Sequence, residues 1–478
     1  VDRDLAGGPP GAAAAGDAGR PARRKGYKLA RLNPFASNAA KPRKGFGSVA
    51  RNLGWLLAGR GVTAVLSLFY LAILTRTLGV TDFGRFSIIV GASQVLVALV
   101  GFQTWQIIVR FGTAHRSAGD LDRLGRLFRA CTALDATSAV IGVGVAATIL
   151  SLWGEMLGIG PTLWRATFIF TIIQLLSLRS TPLGILRLND NFSLATLADS
   201  ATPVVRLVGA ALVALIHPTL QGFLVAWMAA ELLTAAAYWL MVARTGQLRL
   251  MRRHGRGLRA VVAENPGIVQ FAISTNANAT FTLSSKQFPL LLVGGIAGTT
   301  AAGEFRLAVQ LAQAMTKLSQ LLARAAFPEI VRSIDAGGLR KIGRLLVRSV
   351  SVATLVAVLV FGTLLLAGEH VLALVGGPEF TSAYSSLLWL TAAGCVDLCT
   401  VGFEPVLMAA NRAGSAFLVR LLATGTMFAS AFLLAPTMGA NGIAAGVLIA
   451  SVVTAVLLAV MLARAIRRDR LRTEGTSF

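Results

Sequence analysis

The chain has 478 residues, 55% of them hydrophobic and only 14% charged, against roughly 25% charged residues in soluble globular proteins. That balance excludes a soluble domain, so the formal net charge of +24 has to be explained by where the basic residues fall. Uncharged or nearly uncharged runs between Leu53 and Leu462 meet the requirement of about 20 apolar residues for each helix crossing a bilayer core, and no long stretch alternates in polarity as an outer-membrane barrel does.

Taken in chain order, residues 1–50 are rich in Gly, Ala, Pro and Arg, lack apolar periodicity, and are expected to form a disordered basic cytoplasmic tail. The tail is too polar to be a secretory signal peptide. Twelve transmembrane helices are predicted, at roughly 52–74, 87–109, 130–152, 162–180, 193–216, 220–243, 268–294, 303–325, 349–367, 383–403, 415–435 and 440–463. They divide into an N-terminal six-helix lobe (51–243), a basic cytoplasmic linker (244–267), a C-terminal six-helix lobe (268–465) and a short basic tail (466–478). With both termini in the cytoplasm, most of the 45 Lys and Arg fall in inner segments, as the positive-inside rule requires. The charge is thus topological. No nucleic-acid partner is expected, and the basic loops meet anionic membrane lipids.

An internal repeat at an offset of about 219 residues supports the division into lobes. Gly79, Gly84 and Phe86 recur as Gly298, Gly303 and Phe305, giving G-x-x-x-x-G-x-F between the first two helices of each half. The basic segment from Leu121 to Phe128 recurs from Leu339 to Leu346, and Gly154-Glu155 and Gly368-Glu369 are read as closing the third helix of each half. Six is an even number, so both halves enter from the same side and a parallel repeat about the membrane normal is expected.

Charges within membrane helices cost about 2.5 to 3.5 kcal/mol at the centre, which makes each a candidate functional residue. The cations are Arg60, Arg206, Lys286, Arg306, Lys317 and Arg420, and the anions Asp135, Asp199, Glu231 and Asp397, with Glu404 near a helix end. Arg60 and Lys286 lie at comparable depths in helices 1 and 7. One reading is a cationic cavity that receives an anionic headgroup, Arg60 binding phosphate through two donors. The other is internal ion pairing with Asp199, Glu231 or Asp397. Arg206 stands two turns beyond Asp199 on the same face of its helix, Arg306 is read as snorkelling from near the outer helix end, and Asp135 as structural. The polar run around Asn276 and Asn278 is expected to face the cavity, and Pro182, Pro203 and Pro405 to permit hinges. Cys131, Cys395 and Cys399 read as small buried side chains, and the four scattered His complete no metal-ligand set. No P-loop, G-x-S-x-G or H-E-x-x-H motif is present, and neither an enzyme nor a cofactor is expected.

The stretch from Leu74 to Ser87, the Thr181-Pro182-Leu183-Gly184 segment and Ser285-Lys286-Gln287 before an apolar run resemble polysaccharide biosynthesis proteins of the Wzx-type oligosaccharide flippases, in the multidrug/oligosaccharidyl-lipid/polysaccharide exporter superfamily. The resemblance covers about residues 50–465. It implies an all-α fold of two six-helix lobes around a V-shaped central cavity. The implied activity is alternating-access transfer of an undecaprenyl-diphosphate-linked oligosaccharide across the bacterial inner membrane, for surface polysaccharide or lipopolysaccharide biosynthesis. It implies cavity cations that receive the headgroup, with Arg60, Lys286, Arg206, Arg420, Lys317, Asn276 and Asn278 as candidates. Polysaccharide polymerase and export proteins are further expected partners. The alternative is a proton- or sodium-coupled drug or metabolite antiporter of the same superfamily, with Asp199, Glu231 and Asp397 as coupling candidates. A membrane glycosyltransferase or polymerase would need a larger outer loop than any present.

Overall fold

The computed structural model describes the backbone of residues 46–251, 258–335, 338–403 and 413–474, and the side chains of 66–251, 259–314, 350–403 and 418–464. The expected tail falls outside these residues, apart from the backbone from residue 46 onward. The chain divides into two units, 1–56 and 57–478, and all that follows concerns the second.

Every described element is helical: α1 Phe46–Val100, α2 Thr104–Ser117, α3 Leu121–Trp153, α4 Pro161–Leu176, α5 Ser180–Leu188, α6 Phe192–Ile216, α7 Leu220–Arg244, α8 Leu248–Met251, α9 Leu258–Glu264, α10 Ile268–Asp335, α11 Gly338–Gly376, α12 Tyr384–Thr400, α13 Ala413–Met438 and α14 Ala440–Glu474. Nine helical stretches among the described residues are long and apolar enough to cross a membrane.

Two of these stretches fold back on themselves. Residues 70 and 86 of α1 would stand about 24 Å apart on a straight helix, yet the Tyr70 and Phe86 rings both pack edge-on against Trp227, at 5.3 and 5.2 Å. Likewise Arg306 donates to Gln287 Oε1 at 3.3 Å within α10. The reversals occur at Gly79 (φ 68°, ψ 179°) and Gly298 (φ 84°, ψ 179°). A single residue makes each turn because only glycine enters this region without a Cβ clash. With these two reversals, and with α12 as a shorter leg, the described helices make twelve legs.

The twelve legs agree with the twelve predicted from sequence, but the turn sits at the first glycine of each repeat, so G-x-x-x-x-G-x-F lies in the opening turns of the second leg instead of a loop. The third-helix boundary also needs correction. Gly154 does end α3, but Gly368 lies inside α11, which runs on to Gly376. The true counterparts are Gly158 (φ 73°) and Gly377 (φ 100°), again 219 apart.

The halves meet through reciprocal contacts on the face that carries these turns. A Cβ on Gly84 would strike the Thr299 carbonyl and lie 2.9 Å from the Gly303 nitrogen; one on Gly303 would strike the Val80 carbonyl and lie 3.0 Å from the Gly84 nitrogen. Val80 and Thr299 are themselves 219 apart, and the hydroxyls of the equivalent Thr81 and Thr300 meet at 3.0 Å. Thr75 donates to the Val375 carbonyl at 3.0 Å, while Met156, the equivalent of Val375, presses its carbonyl on Gly295. Equivalent segments that contact each other in both directions are what a twofold axis between them produces.

Packing falls into two main cores. One joins both halves near the turn face through Phe83, Phe305, Phe380 and Trp227. The other fills the opposite end of the first half with Ile108, Phe128, Ile185 and Tyr238, and extends onto the start of α10 through Ile268 and Ala272. Lipid tails are as apolar as these side chains, so close van der Waals fit between helices does the work that water exclusion does in soluble cores. The linker helices α8 and α9 dock on this second core: Arg126 pairs with Glu264 at 2.7 Å and His115 Nε2 meets Asn265 Oδ1 at 2.8 Å.

Candidate functional site

Two adjoining cavities, of about 400 and 420 Å3, lie among the legs of the second half. Lys286 and Arg306 line the larger, Arg420 the smaller, and Asp397 borders both. Lys286 precedes the Gly298 turn by 12 residues and Arg306 follows it by eight, about 18 and 12 Å along the helix. In a hydrocarbon core about 30 Å thick these depths are close to the midplane. Lys286 is exposed to the cavity and makes no ion pair among the described residues. Arg306 is held by Gln287, which also donates to Gln94 of the first half at 2.6 Å. Arg420 donates to Thr282 at 3.3 Å. Around Asp397 the smaller cavity is walled by the hydroxyls of Ser285, Thr400, Thr424, Ser451 and Thr454.

The first half carries a second charged cluster. Glu231 on α7 is only 3% exposed and receives Arg206 Nη2 on one oxygen at 2.7 Å, with Arg179 Nη1 2.9 Å from the other. Arg206 also stacks over Trp227 at 5.3 Å, and Arg306 of the other half lies within electrostatic range of Arg206 and Tyr70.

The candidate residues fall into separate places in the fold. Arg206 shares a helix face with Asp199 but pairs with Glu231; Asp199 instead accepts the Tyr238 hydroxyl. Arg306 lines the cavity and does not snorkel. Its leg begins at Gly298, five residues earlier than the motif suggested, which places it deeper. Asn276 accepts from Thr280 at 2.8 Å and Thr280 donates to the Ala98 carbonyl at 2.6 Å, so this end of the polar run joins helices. Neither Asn276 nor Asn278 borders the cavities. The side chains of Arg60 and Lys317 lie outside the described residues, as do Glu404 and Pro405.

Asp135 is structural in a specific sense. The second leg breaks between α1 and α2, and the fourth between α4 and α5, leaving helix N-termini inside the bundle. Asp135 Oδ2 serves both: it accepts from the Thr104 hydroxyl at 3.0 Å, the Thr181 hydroxyl at 2.7 Å and the Thr181 amide at 3.2 Å. Arg179, at that second break, is the functional candidate that sequence reading missed. A basic residue at the inner end of a predicted helix is already accounted for by topology, and only the break turns it toward Glu231.

Residues 49–334 match the family of polysaccharide biosynthesis proteins. The chain is 27% identical over 343 residues to inner membrane protein YghQ of Escherichia coli (strain K12), covering 71% of this chain and 95% of that one. Among solved structures it is similar to lipid II flippase MurJ in an inward closed conformation, with TM-score 0.65, 10% identity and coverage of 86% and 88% of the two chains. It is also similar to a multidrug resistance MATE family transporter of the MOP superfamily in an inward-facing conformation, with TM-score 0.60, 16% identity and coverage of 84% and 95%. At these identities the likeness is one of fold.

Proposed function

From the premise that the chain belongs to the polysaccharide biosynthesis protein family, a multi-pass membrane protein with the fold of known transporters, we propose that it translocates a lipid-linked oligosaccharide by its diphosphate headgroup. The observation that carries this reading is the charge of the larger cavity: among its described lining residues Lys286 and Arg306 stand against one carboxylate, Asp397. An excess of cations over carboxylates near the midplane suits a diphosphate bearing about two negative charges. A cationic drug would meet repulsion there. Arg60, Lys317 and Arg420 belong to the same headgroup site in this proposal, and Arg206 joins it from the first half when it leaves Glu231.

The undecaprenyl carrier, the bacterial inner membrane, cytoplasmic termini and service to surface polysaccharide or lipopolysaccharide assembly all belong to this reading. So does the absence of catalysis: the chain moves its substrate without altering it, between enzymes such as a polymerase. The hydroxyl-walled chamber around Asp397 supports one element of the antiporter alternative, a coupling proton or monovalent cation bound there.

Alanine at Lys286 or Arg306 tests the proposal. Each variant, at wild-type abundance, is expected to lower surface polysaccharide and leave lipid-linked precursor on the inner leaflet, with Lys286→Arg retaining more function. Full export by the double alanine variant overturns the cationic-cavity reading, and drug efflux driven by a proton or sodium gradient transfers support to the antiporter.

A further inference from the structure

We infer that Glu231 is an internal stand-in for the substrate's anionic headgroup: in the empty carrier it neutralises Arg206 and Arg179, and an incoming diphosphate competes with it for both guanidinium groups. This deepens, and rests on, the anionic-headgroup reading above.

The bonding around Glu231 is unbalanced. Two guanidinium groups present ten N–H donors between them, while one carboxylate has about four lone-pair sites. Arg206 makes one directed hydrogen bond to it, and its Nε is buried with no hydrogen-bond partner. Arg179 lies 2.9 Å from Oε2, yet that oxygen receives no well-directed hydrogen bond. An ion pair serving only to hold the fold would saturate its buried atoms, because each unmet polar group carries a desolvation cost. Here each carboxylate oxygen meets one guanidinium group, while Arg206 keeps a buried Nε without a hydrogen-bond partner among the described residues.

The same geometry favours exchange. Glu231 is 3% exposed and fixed to α7, whereas the Arg179 side chain is 46% exposed and springs from the break between α4 and α5. The cation that can move is the one on the irregular segment. Arg206, 19% exposed, is steered by stacking on Trp227, which Tyr70 and Phe86 brace at right angles. The oxygens of a diphosphate fit the planar forks of Arg206 and Arg179. The other polar groups near Glu231 are accounted for: Thr202 and Thr234 bond each other, Tyr238 bonds Asp199, and Arg187 stacks on Trp105. When the headgroup departs, Glu231 reclaims both arginines, so the empty carrier resets without two bare cations in the membrane.

The test uses the full chain, purified in lipid nanodiscs, with farnesyl diphosphate as the probe and farnesol as the uncharged control. Glu231→Gln, which removes the competing charge and keeps the shape, is expected to bind farnesyl diphosphate about tenfold tighter than wild type. Its turnover should fall together with its KM, because release has lost its driving group. Arg206→Gln and Arg179→Gln are each expected to bind about tenfold more weakly. Equal or weaker binding by a Glu231→Gln protein of unchanged thermal midpoint overturns the inference.

A second measurement needs no variant: a hydrophobic carbodiimide should label Glu231 of the wild type more strongly with farnesyl diphosphate present, since a carboxylate no longer covered by two guanidinium groups is open to the reagent. Unchanged or reduced labelling overturns the inference. If farnesyl diphosphate binds neither wild type nor any variant, the anionic-headgroup reading fails with it. If wild type binds, alanine at Lys286 weakens binding, and Glu231→Gln brings no gain, only the stand-in role is lost.

Discussion

The charged residues within this membrane protein divide by whether their bonding is complete. Asp135 is 7% exposed and spends one oxygen on three donors at two helix starts. Asp135→Ala leaves the Thr104 hydroxyl and the Thr181 amide without their acceptor, the Thr181 hydroxyl keeping Thr104 Oγ1 at 3.2 Å, at a cost of about 1 to 3 kcal/mol for each stranded buried group. The expected outcome is a lower thermal midpoint in detergent, with Asp135→Asn losing less because its side-chain carbonyl still accepts. Lys286 is the opposite case. It faces a cavity with no ionic partner among the described residues, so Lys286→Ala is expected to leave the melting transition in place. The loss should fall on headgroup affinity, about 1.5 to 3 kcal/mol for a charge-assisted contact, or roughly tenfold to a hundredfold.

At the scale of elements, the glycine motif acts twice. Gly79 and Gly298 make the turns, and five residues later Gly84 and Gly303 let the two second legs touch backbone to backbone. The obstruction to a Cβ at Gly84 is the Thr299 carbonyl, which no side-chain rotation can move aside. Gly84→Ala is therefore expected to push the halves apart at the turn face. Cysteines at Thr81 and Thr300, whose hydroxyls lie 3.0 Å apart, provide the readout. The Thr81→Cys/Thr300→Cys pair should crosslink readily in the parent chain and poorly once Gly84→Ala is added. Equal crosslinking in both would show that the contact is not what holds this face closed. If transport requires the turn face to open, the crosslinked protein is inactive and reduction restores it.

At the scale of the whole molecule, the twelve legs place the Gly79 and Gly298 turns on one face and the linker helices α8 and α9 on the other. The distribution of Lys and Arg predicts that the linker face is cytoplasmic. A reporter fused after Leu250 should be active only as a cytoplasmic marker, and a cysteine at Thr299 should react with an impermeant reagent added from outside. The opposite pattern for either site would invert the proposed direction of transport. Most of this architecture was legible in the sequence because span length, charge placement and the 219-residue repeat are properties of single segments. The two boundary errors share a cause: a one-residue glycine turn and a continued α11 leave no polar loop for hydropathy to mark.

The candidate site was legible only in its parts. Composition and periodicity determined that Arg206, Glu231, Lys286 and Asp397 lie deep in membrane helices, since depth follows from counting residues along a leg, whereas the depth of Arg306 came from the turn at Gly298. Which of them meet was decided by tertiary packing. Arg206 bonds Glu231, 25 residues away on the next leg, and not Asp199 on its own helix face. Arg179 joins them because the fourth leg breaks, and Arg306 reaches Gln287 because α10 folds back at Gly298. Contacts between legs depend on how the helices rotate and cross when they pack, and no segment carries that information alone.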